Sequence, residues 1–513
     1  MKEITLKIQF IILVLILNII ALSAQDDSIN PNCKIRLPQE INGYQPALIP
    51  VLTLDGKYLY FDRKWHPENI GGVNDQDDIW YSVNQGNGNW SVPINIKSPL
   101  NTKGSDVLFS ITPDGTTALI YSNYMATLKE KKSGFLFSSH LDSTIWSKPV
   151  PLNIEKFYND SLHFYASLSC DKKIIIFSIN RIDSYGGLDL YVSFFNDSTN
   201  IWSEPLNLGN TINSKGSEES PFLAYDNRTL YFSSDGMGGF GGLDLFMTRR
   251  LDDTWKNWSP PVNLGKYINS PFDENSIWLN ATSDSAYIVS KDTSSKRSGI
   301  YIVCLPKELR PYPYTILQGK IFSENNKKVE AFQGPVQFKI SGNISKYTST
   351  FTSIPGKNEY LFVLPYSDVY NIKSTSKGYI YIEYLYNAQN NTSPEIIARD
   401  LLFVKAEEKN PMIINFDFDD ATISDSAKYI LEDFFANKNK YSQQKITIIG
   451  YTDSVGTEEY NLKLSYNRAK NTALYLEKLG ANKNNIKFEG KGKANPKYTI
   501  DSENRRVEIY IEE

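Results

Sequence analysis

Trp-Ser-x-Pro occurs four times in this chain at one fixed interval. The copies are Trp90-Ser91-Val92-Pro93, Trp146-Ser147-Lys148-Pro149, Trp202-Ser203-Glu204-Pro205 and Trp258-Ser259-Pro260-Pro261, each Trp 56 residues after the last. A strict period of this length marks one structural unit built repeatedly. It also argues that the repeated residues build the unit, so a single chemical site should be sought elsewhere.

A second anchor recurs between the Trp positions. Leu54-Asp55-Gly56, Pro113-Asp114-Gly115, Cys170-Asp171-Lys172 and Tyr225-Asp226-Asn227 each precede a run rich in aromatic and β-branched residues, such as Leu230-Tyr231-Phe232. A fifth copy lies at Ser283-Asp284-Ser285. Asp-Gly and Asp-Asn steps make tight turns because Gly and Asn tolerate positive φ, and the runs that follow them read as strands. A third element, Gly186-Gly187-Leu188-Asp189 and Gly241-Gly242-Leu243-Asp244, is another turn feeding another strand. Each period therefore holds about four short strands, the content of a propeller blade. Residues 35–43 resemble the tail of a repeat, so an N-terminal strand is expected to complete the last blade. The pattern resembles the PD40 (TolB-type, WD40-like) propeller family over residues ~35–305. The five Asp anchors predict a five-bladed propeller, with six blades as the alternative count. The Trp residues are expected in the core and the repeated Asp residues in their own turns.

At 513 residues the chain is long enough for several domains, and its net charge of −4 gives no reason to expect nucleic-acid binding. Lys2 and Lys7 precede an apolar run from Phe10 to Leu22, then Ala21, Ser23 and Ala24, which reads as a signal peptide over 1–24. No second segment approaches about 20 apolar residues, so no membrane-spanning helix is expected in the mature chain. Cys33 follows Ile29-Asn30-Pro31-Asn32, which is not a lipoprotein site. Cys33, Cys170 and Cys304 are the only cysteines, an odd and sparse set that argues against a disulfide scaffold, with Cys170 and Cys304 expected in buried strands.

The period ends after Cys304. The segments around Leu317, Phe338, Phe362 and Tyr370 alternate over short runs, as in a small antiparallel sandwich. They resemble carboxypeptidase-regulatory-like domains. The expected organisation is a signal peptide over 1–24, the propeller over 25–310, the sandwich over 311–405 and a final domain over 406–513.

The final segment alternates strand and helix in a βαβαββ order, making the whole chain multidomain and mainly β with an α+β end. Strand Ile413-Ile414-Asn415-Phe416 leads to a helix capped by Ser424, with Ala427, Ile430, Leu431 and Phe434 at helical spacing. Strand Lys445–Ile449 ends at Gly450, and a second helix ends at Gly480. The motifs Asn415-Phe416-Asp417-Phe418-Asp419, Gly450-Tyr451-Thr452-Asp453-Ser454, Tyr460-Asn461-Leu462 with Arg468-Ala469, and Asn504-Arg505-Arg506-Val507-Glu508 resemble the OmpA/Pal/MotB C-terminal peptidoglycan-binding domain over ~410–513. The resemblance implies a ligand, the diaminopimelate of the peptidoglycan stem, whose side-chain end is a zwitterion. It sets Asp453 against the ammonium and Arg468 against the carboxylate, because a guanidinium fork suits a carboxylate. Asn461, Thr452 and Arg505 are the supporting candidates. Tyr451 departs from the His of many members and is expected to alter the rim of the site.

No Gly-x-Ser-x-Gly elbow, phosphate loop or His-Glu-x-x-His occurs, and His66, His140 and His163 lack metal-ligand spacing. No enzyme, cofactor or metal site is expected. The domain order resembles accessory envelope proteins of the type IX secretion system. It implies a periplasmic scaffold at the outer membrane, holding peptidoglycan at one end and a protein partner on the propeller. A propeller adhesin or glycan sensor, and a propeller hydrolase, are the alternatives.

Overall fold

The computed structural model describes residues 33–43, 46–122, 134–140, 145–291, 297–325, 328–405, 411–435, 444–494 and 501–512; the expected signal peptide lies outside them. The chain divides into two compact units. The first takes in Met1–Phe322, Ala331–Ser374 and Ile382–Leu401, and the second Ser323–Glu330, Thr375–Tyr381 and Leu402–Glu513.

The repeats of the first unit fold into five separate antiparallel sheets of four or five strands. In the fourth, Glu218–Leu223, Thr229–Ser234, Asp244–Arg249 and Val262–Asn263 follow one another in chain order. Each repeated motif has a local task in this meander. The Asp of the first turn caps it: Asp55 Oδ1 accepts from Lys57 N at 3.0 Å, and Asp226 Oδ1 accepts from Arg228 N at 3.0 Å. The residue after Asp226, Asn227, takes φ 52°, a left-handed conformation that Asn tolerates. The four repeat Trp side chains are buried, Trp202 at 2 % exposure. The Ser beside each Trp binds back to the third strand. Ser91, Ser147, Ser203 and Ser259 Oγ accept from Val83, Ser139, Phe194 and Arg249 N at 2.9–3.0 Å. The repeated Asp at the start of the third strand holds the following Asn: Asp189 accepts from Asn207 and Asp244 from Asn263.

The fifth sheet is completed by the N-terminus. Ile35–Arg36 pairs antiparallel with Ser298–Cys304, beside Glu274–Leu279 and Ser285–Lys291. Asn42 exchanges hydrogen bonds with Ile300 N and O, the same part that Asn213 plays for Leu190 and Asn269 for Leu245. Neighbouring sheets are tied through their first strands, as by Leu168 N to Ser110 Oγ and Leu223 N to Ser167 Oγ. Trp278 Nε1 donates to Leu52 O, from the fifth sheet to the first.

Three expectations are corrected here. Among the described residues no sheet closes or curls on itself, so the expected propeller, five-bladed or six-bladed, gives way to five open meanders. A 56-residue period dictates a repeated local unit, and it carries no information on closure. Cys304 is not a buried free thiol: it is exposed and bonded to Cys33, with Cα atoms 5.6 Å apart across 271 residues. Cys170 lies in a turn, half-buried, and burial pushes its thiol up. Finally, the expected purely antiparallel sandwich contains a parallel pair. Thr315–Asn325 runs antiparallel to Glu359–Leu364 but parallel to Glu395–Ala398. A second sheet there has Gln337–Gly342 between Thr348–Thr352 and Val369–Thr375, with Phe338 and Tyr370 inside.

The second unit holds one four-stranded sheet: β1 (Met412–Asn415), β2 (Lys445–Gly450), β3 (Ile486–Gly490) and β4 (Arg506–Glu512), in the order β1-β4-β2-β3. β4 is antiparallel to β1 and β2, and β3 is parallel to β2. Helix α1 (Asp425–Phe435) starts where Ser424 Oγ accepts from Ala427 N at 3.2 Å. Helix α2 (Glu458–Leu479) is capped by Thr457, which accepts from Tyr460 N, and ends at Gly480 with φ 108°. The core is formed by Ile414, Leu431, Phe435, Ile446, Ile448, Ala469, Ala473, Leu476, Val507 and Ile509. α2 lies so close to the sheet that a Cβ on Gly450 would stand 2.0 Å from Ser465 O. This approach sets the residues after β2 against the side of α2.

Candidate functional site

The site forms where four pieces of the second unit converge: the loop after β1, the loop after β2, the first half of α2 and the start of β4. Gly450 ends β2, and Tyr451, Thr452 and Asp453 follow it across the end of the sheet. Tyr451 N donates to Arg506 O at 2.8 Å and Thr452 N to Gly492 O at 2.9 Å, so the backbone under the site is fully pinned.

Arg468 lies on α2 and is wholly buried, at 0 % exposure. Its guanidinium donates to three backbone carbonyls: Nε to Asp420 O at 2.7 Å, Nη1 to Tyr451 O at 3.1 Å and Nη2 to Asp417 O at 2.9 Å. Burial lowers its pKa to about 10, with the charge of Asp453 working the other way. It therefore remains a cation at neutral pH. A guanidinium has five N–H donors, so two remain beyond the three carbonyls. The ring of Phe416 lies 5.3 Å from the guanidinium carbon.

Asp453 is 6 % exposed. Its Oδ2 accepts from Arg505 Nη1 at 3.1 Å, and its Oδ1 accepts from Val455 N at 3.3 Å. Arg505 also donates from Nε to Phe416 O at 3.2 Å, and its guanidinium carbon lies 5.9 Å from the ring of Phe418. Thr452 Oγ1 is buried without a hydrogen-bond partner among the described residues. A buried hydroxyl left unpaired costs about 1–3 kcal/mol, which makes it a group that gains from a ligand.

The structure thus gathers Asp453, Arg505, Arg468 and Thr452 at one place, and gives Asn461 a different task. Asn461 is buried on α2 and its Nδ2 donates to Val455 O at 2.9 Å, which holds the loop that carries Asp453. Arg505 lies against Asp453, and its neighbour Arg506 turns elsewhere. Arg506 binds Glu508 Oε1 at 2.9 Å and stacks 4.0 Å from the Tyr451 ring. Arg505 sits in the bend before β4 and Arg506 is the strand's first residue, and the two take different partners. Tyr451 is corrected from rim to interior: it is 6 % exposed, and burial, then Glu508, pushes its phenol up.

Sequence reasoning missed the loop after β1. There Asp417 and Asp420 contribute carbonyls, and Asn471 Nδ2 holds Ala421 O at 2.8 Å. Asp419 receives the Tyr460 hydroxyl, and Phe418 stands 62 % exposed at the edge. Acceptors of this kind are backbone atoms, so no residue type announces them. The Asn-Phe-Asp-Phe-Asp run was their one sequence sign.

Among the described residues no group of three or more His, Cys, Asp or Glu is placed to hold a metal ion. No helix there is long and apolar enough to cross a membrane. The site combines fixed charges with a pinned backbone.

Comparison with known proteins places its likeness in this unit. The OmpA family model matches residues 415–509. Outer membrane protein A of Bordetella avium is 41 % identical over 101 residues, 19 % of this chain and 52 % of the relative. The probable lipoprotein YiaD of Escherichia coli (strain K12) is 33 % identical over 106 residues, 20 % of this chain and 48 % of the relative. The chain spans about half the length of these curated relatives. A solved structure, the peptidoglycan-associated lipoprotein from Burkholderia pseudomallei, is 28 % identical, with 20 % of this chain and 89 % of that chain covered at a TM-score of 0.19. The expected kinship of the whole chain with propeller-bearing, regulatory-like and type IX accessory proteins is corrected: the five meanders are open, and the family match is to residues 415–509 of the second unit.

Proposed function

We propose that this protein is a non-enzymatic component of the cell envelope that holds peptidoglycan through its second unit. The ligand is the diaminopimelate of the stem peptide, whose far end carries one ammonium and one carboxylate. Asp453 takes the ammonium. The two uncommitted N–H groups of Arg468 take the carboxylate, and Thr452 Oγ1 supplies a further hydrogen bond. Asn461 keeps the Val455 loop in place. The observation that carries this reading is a buried anion and a buried cation, Asp453 and Arg468, near enough for the charge of one to act on the other, within the residues that match the OmpA family. Charge-assisted hydrogen bonds are roughly twice as strong as neutral ones, and a preformed pair loses little entropy on binding.

A periplasmic location at the outer membrane agrees with this ligand. The Cys33–Cys304 disulfide supports it independently, since disulfides persist in oxidising compartments. The five-sheet region is then the part that meets a protein partner. Trp65, Ile182 and Phe240, in the loops after the second strands, are 52 %, 92 % and 48 % exposed. Large exposed apolar side chains on such loops are candidates for an interaction surface.

Calorimetric titration of the full chain with a muramyl tripeptide ending in diaminopimelate tests the ligand. Saturable binding that Arg468→Ala removes is the expected result. Absence of binding at millimolar ligand removes the proposal.

A further inference from the structure

The ion pair between Asp453 and Arg505 raises a question of exchange. The carboxylate that should receive an ammonium already holds a guanidinium at 3.1 Å. Its other oxygen accepts one backbone N–H at 3.3 Å. Arg468 cannot shift, because three carbonyls fix it. Arg505 can: beyond Asp453 its anchors among the described residues are one carbonyl, Phe416 O at 3.2 Å, and the exposed ring of Phe418. It is the mobile cation of the pair.

We infer that Arg505 determines specificity at this site, selecting a zwitterionic side-chain end over a plain ammonium. The inference rests on the peptidoglycan reading and deepens it. An incoming ammonium must share Asp453 with Arg505 or displace it. A plain amine, such as the side chain of a lysine-type stem, replaces one cation by another and leaves the guanidinium without an anion. That exchange gains little. A zwitterionic end brings its own carboxylate, which receives the released Arg505 N–H together with the uncommitted N–H groups of Arg468. The displaced cation is then paired again. Specificity of this kind comes from penalising the wrong ligand as much as from holding the right one. The guanidinium matters for its geometry, since a fork can pass from one carboxylate to another while its Nε stays on Phe416 O.

The experiment uses the full chain and two probes: muramyl tripeptides ending in meso-diaminopimelate or in lysine. Binding is measured for wild type, Arg505→Gln, Arg505→Lys and Asp453→Ala, with melting temperatures to confirm folding. Wild type is expected to favour the diaminopimelate probe by about tenfold, the scale of one close charge pair. In Arg505→Gln the lysine probe binds more tightly than in wild type and the diaminopimelate probe more weakly, so the preference collapses. Arg505→Lys retains part of it. An unchanged preference in Arg505→Gln, or equal weakening of both probes, overturns the inference while leaving the ligand reading intact. Unchanged binding of both probes by Asp453→Ala overturns the ligand reading and this inference with it.

Discussion

Cys33 and Cys304 are covalently joined with Cα atoms 5.6 Å apart, although 271 positions separate them. The bond fastens a segment that does much of the packing between sheets. Leu37 and Ile41 behind it are buried, and Lys34 Nζ reaches Glu274, a carboxylate at 0 % exposure, at 3.3 Å. Arg63 of the first sheet donates to Glu40 and Ile41 carbonyls, so this segment touches both ends of the repeat series.

Breaking that bond is expected to lower stability by about 2–5 kcal/mol, the range for a native disulfide. Thermal unfolding of wild type with and without reductant, and of Cys304→Ser, measures it. The variant and the reduced protein should melt together, below the oxidised form. Coincident melting of all three contradicts the role.

The repeat Trp residues should be costly to truncate. Trp202 is 2 % exposed and packs 5.2 Å from Phe195 and 6.1 Å from Phe137, ring centre to ring centre. Trp202→Ala is expected to cost about 3–5 kcal/mol in denaturant unfolding of the first unit. Peptidoglycan binding by the second unit should be unchanged in native buffer.

Arg468→Lys should fail where a charge-only account expects it to succeed. One ammonium cannot reach three carbonyls that a planar fork meets. A loss on the order of 3 kcal/mol in stability is expected from carbonyls left unpaired, together with loss of ligand binding. Hydrogen exchange should show the loop over 417–422 opening first.

Two buried carboxyls make the first unit sensitive to pH. Burial raises Asp78 from 3.8 to about 6 and Asp106 from 3.8 to about 7, against the hydrogen bonds both accept. A raised folded pKa means the folded state holds the proton more firmly. The resulting stabilisation is complete below about pH 4 and is lost as pH rises to about 7. Asp106→Asn removes this dependence. Its stability relative to wild type should therefore rise between pH 4 and 8, by at most on the order of 4 kcal/mol. A difference that stays constant over this window contradicts the assignment.

Local structure was legible because it depends on near neighbours. The turns at Asp55 and Asp226, the caps at Ser424 and Gly480, and the strand–helix alternation after Pro411 are written in a few adjacent residues each. Asp453 and Arg468 could be named as candidates because the motifs that carry them resemble the OmpA/Pal/MotB domain. What escaped depends on distant partners. Nothing within the period reports whether a sheet closes, and nothing near Cys304 announces Cys33. The difference between Arg505, in the bend before β4, and Arg506, its first residue, lies in distant partners, Asp453 for one and Tyr451 for the other. The carbonyl cage around Arg468 leaves no trace in side-chain chemistry at all.

The most direct test of the account is sedimentation of the full chain with purified sacculi containing diaminopimelate, wild type beside Asp453→Ala. The account predicts that wild type pellets with the wall and that Asp453→Ala, folded to the same melting temperature, stays in the supernatant. Equal pelleting of the two proteins would contradict it.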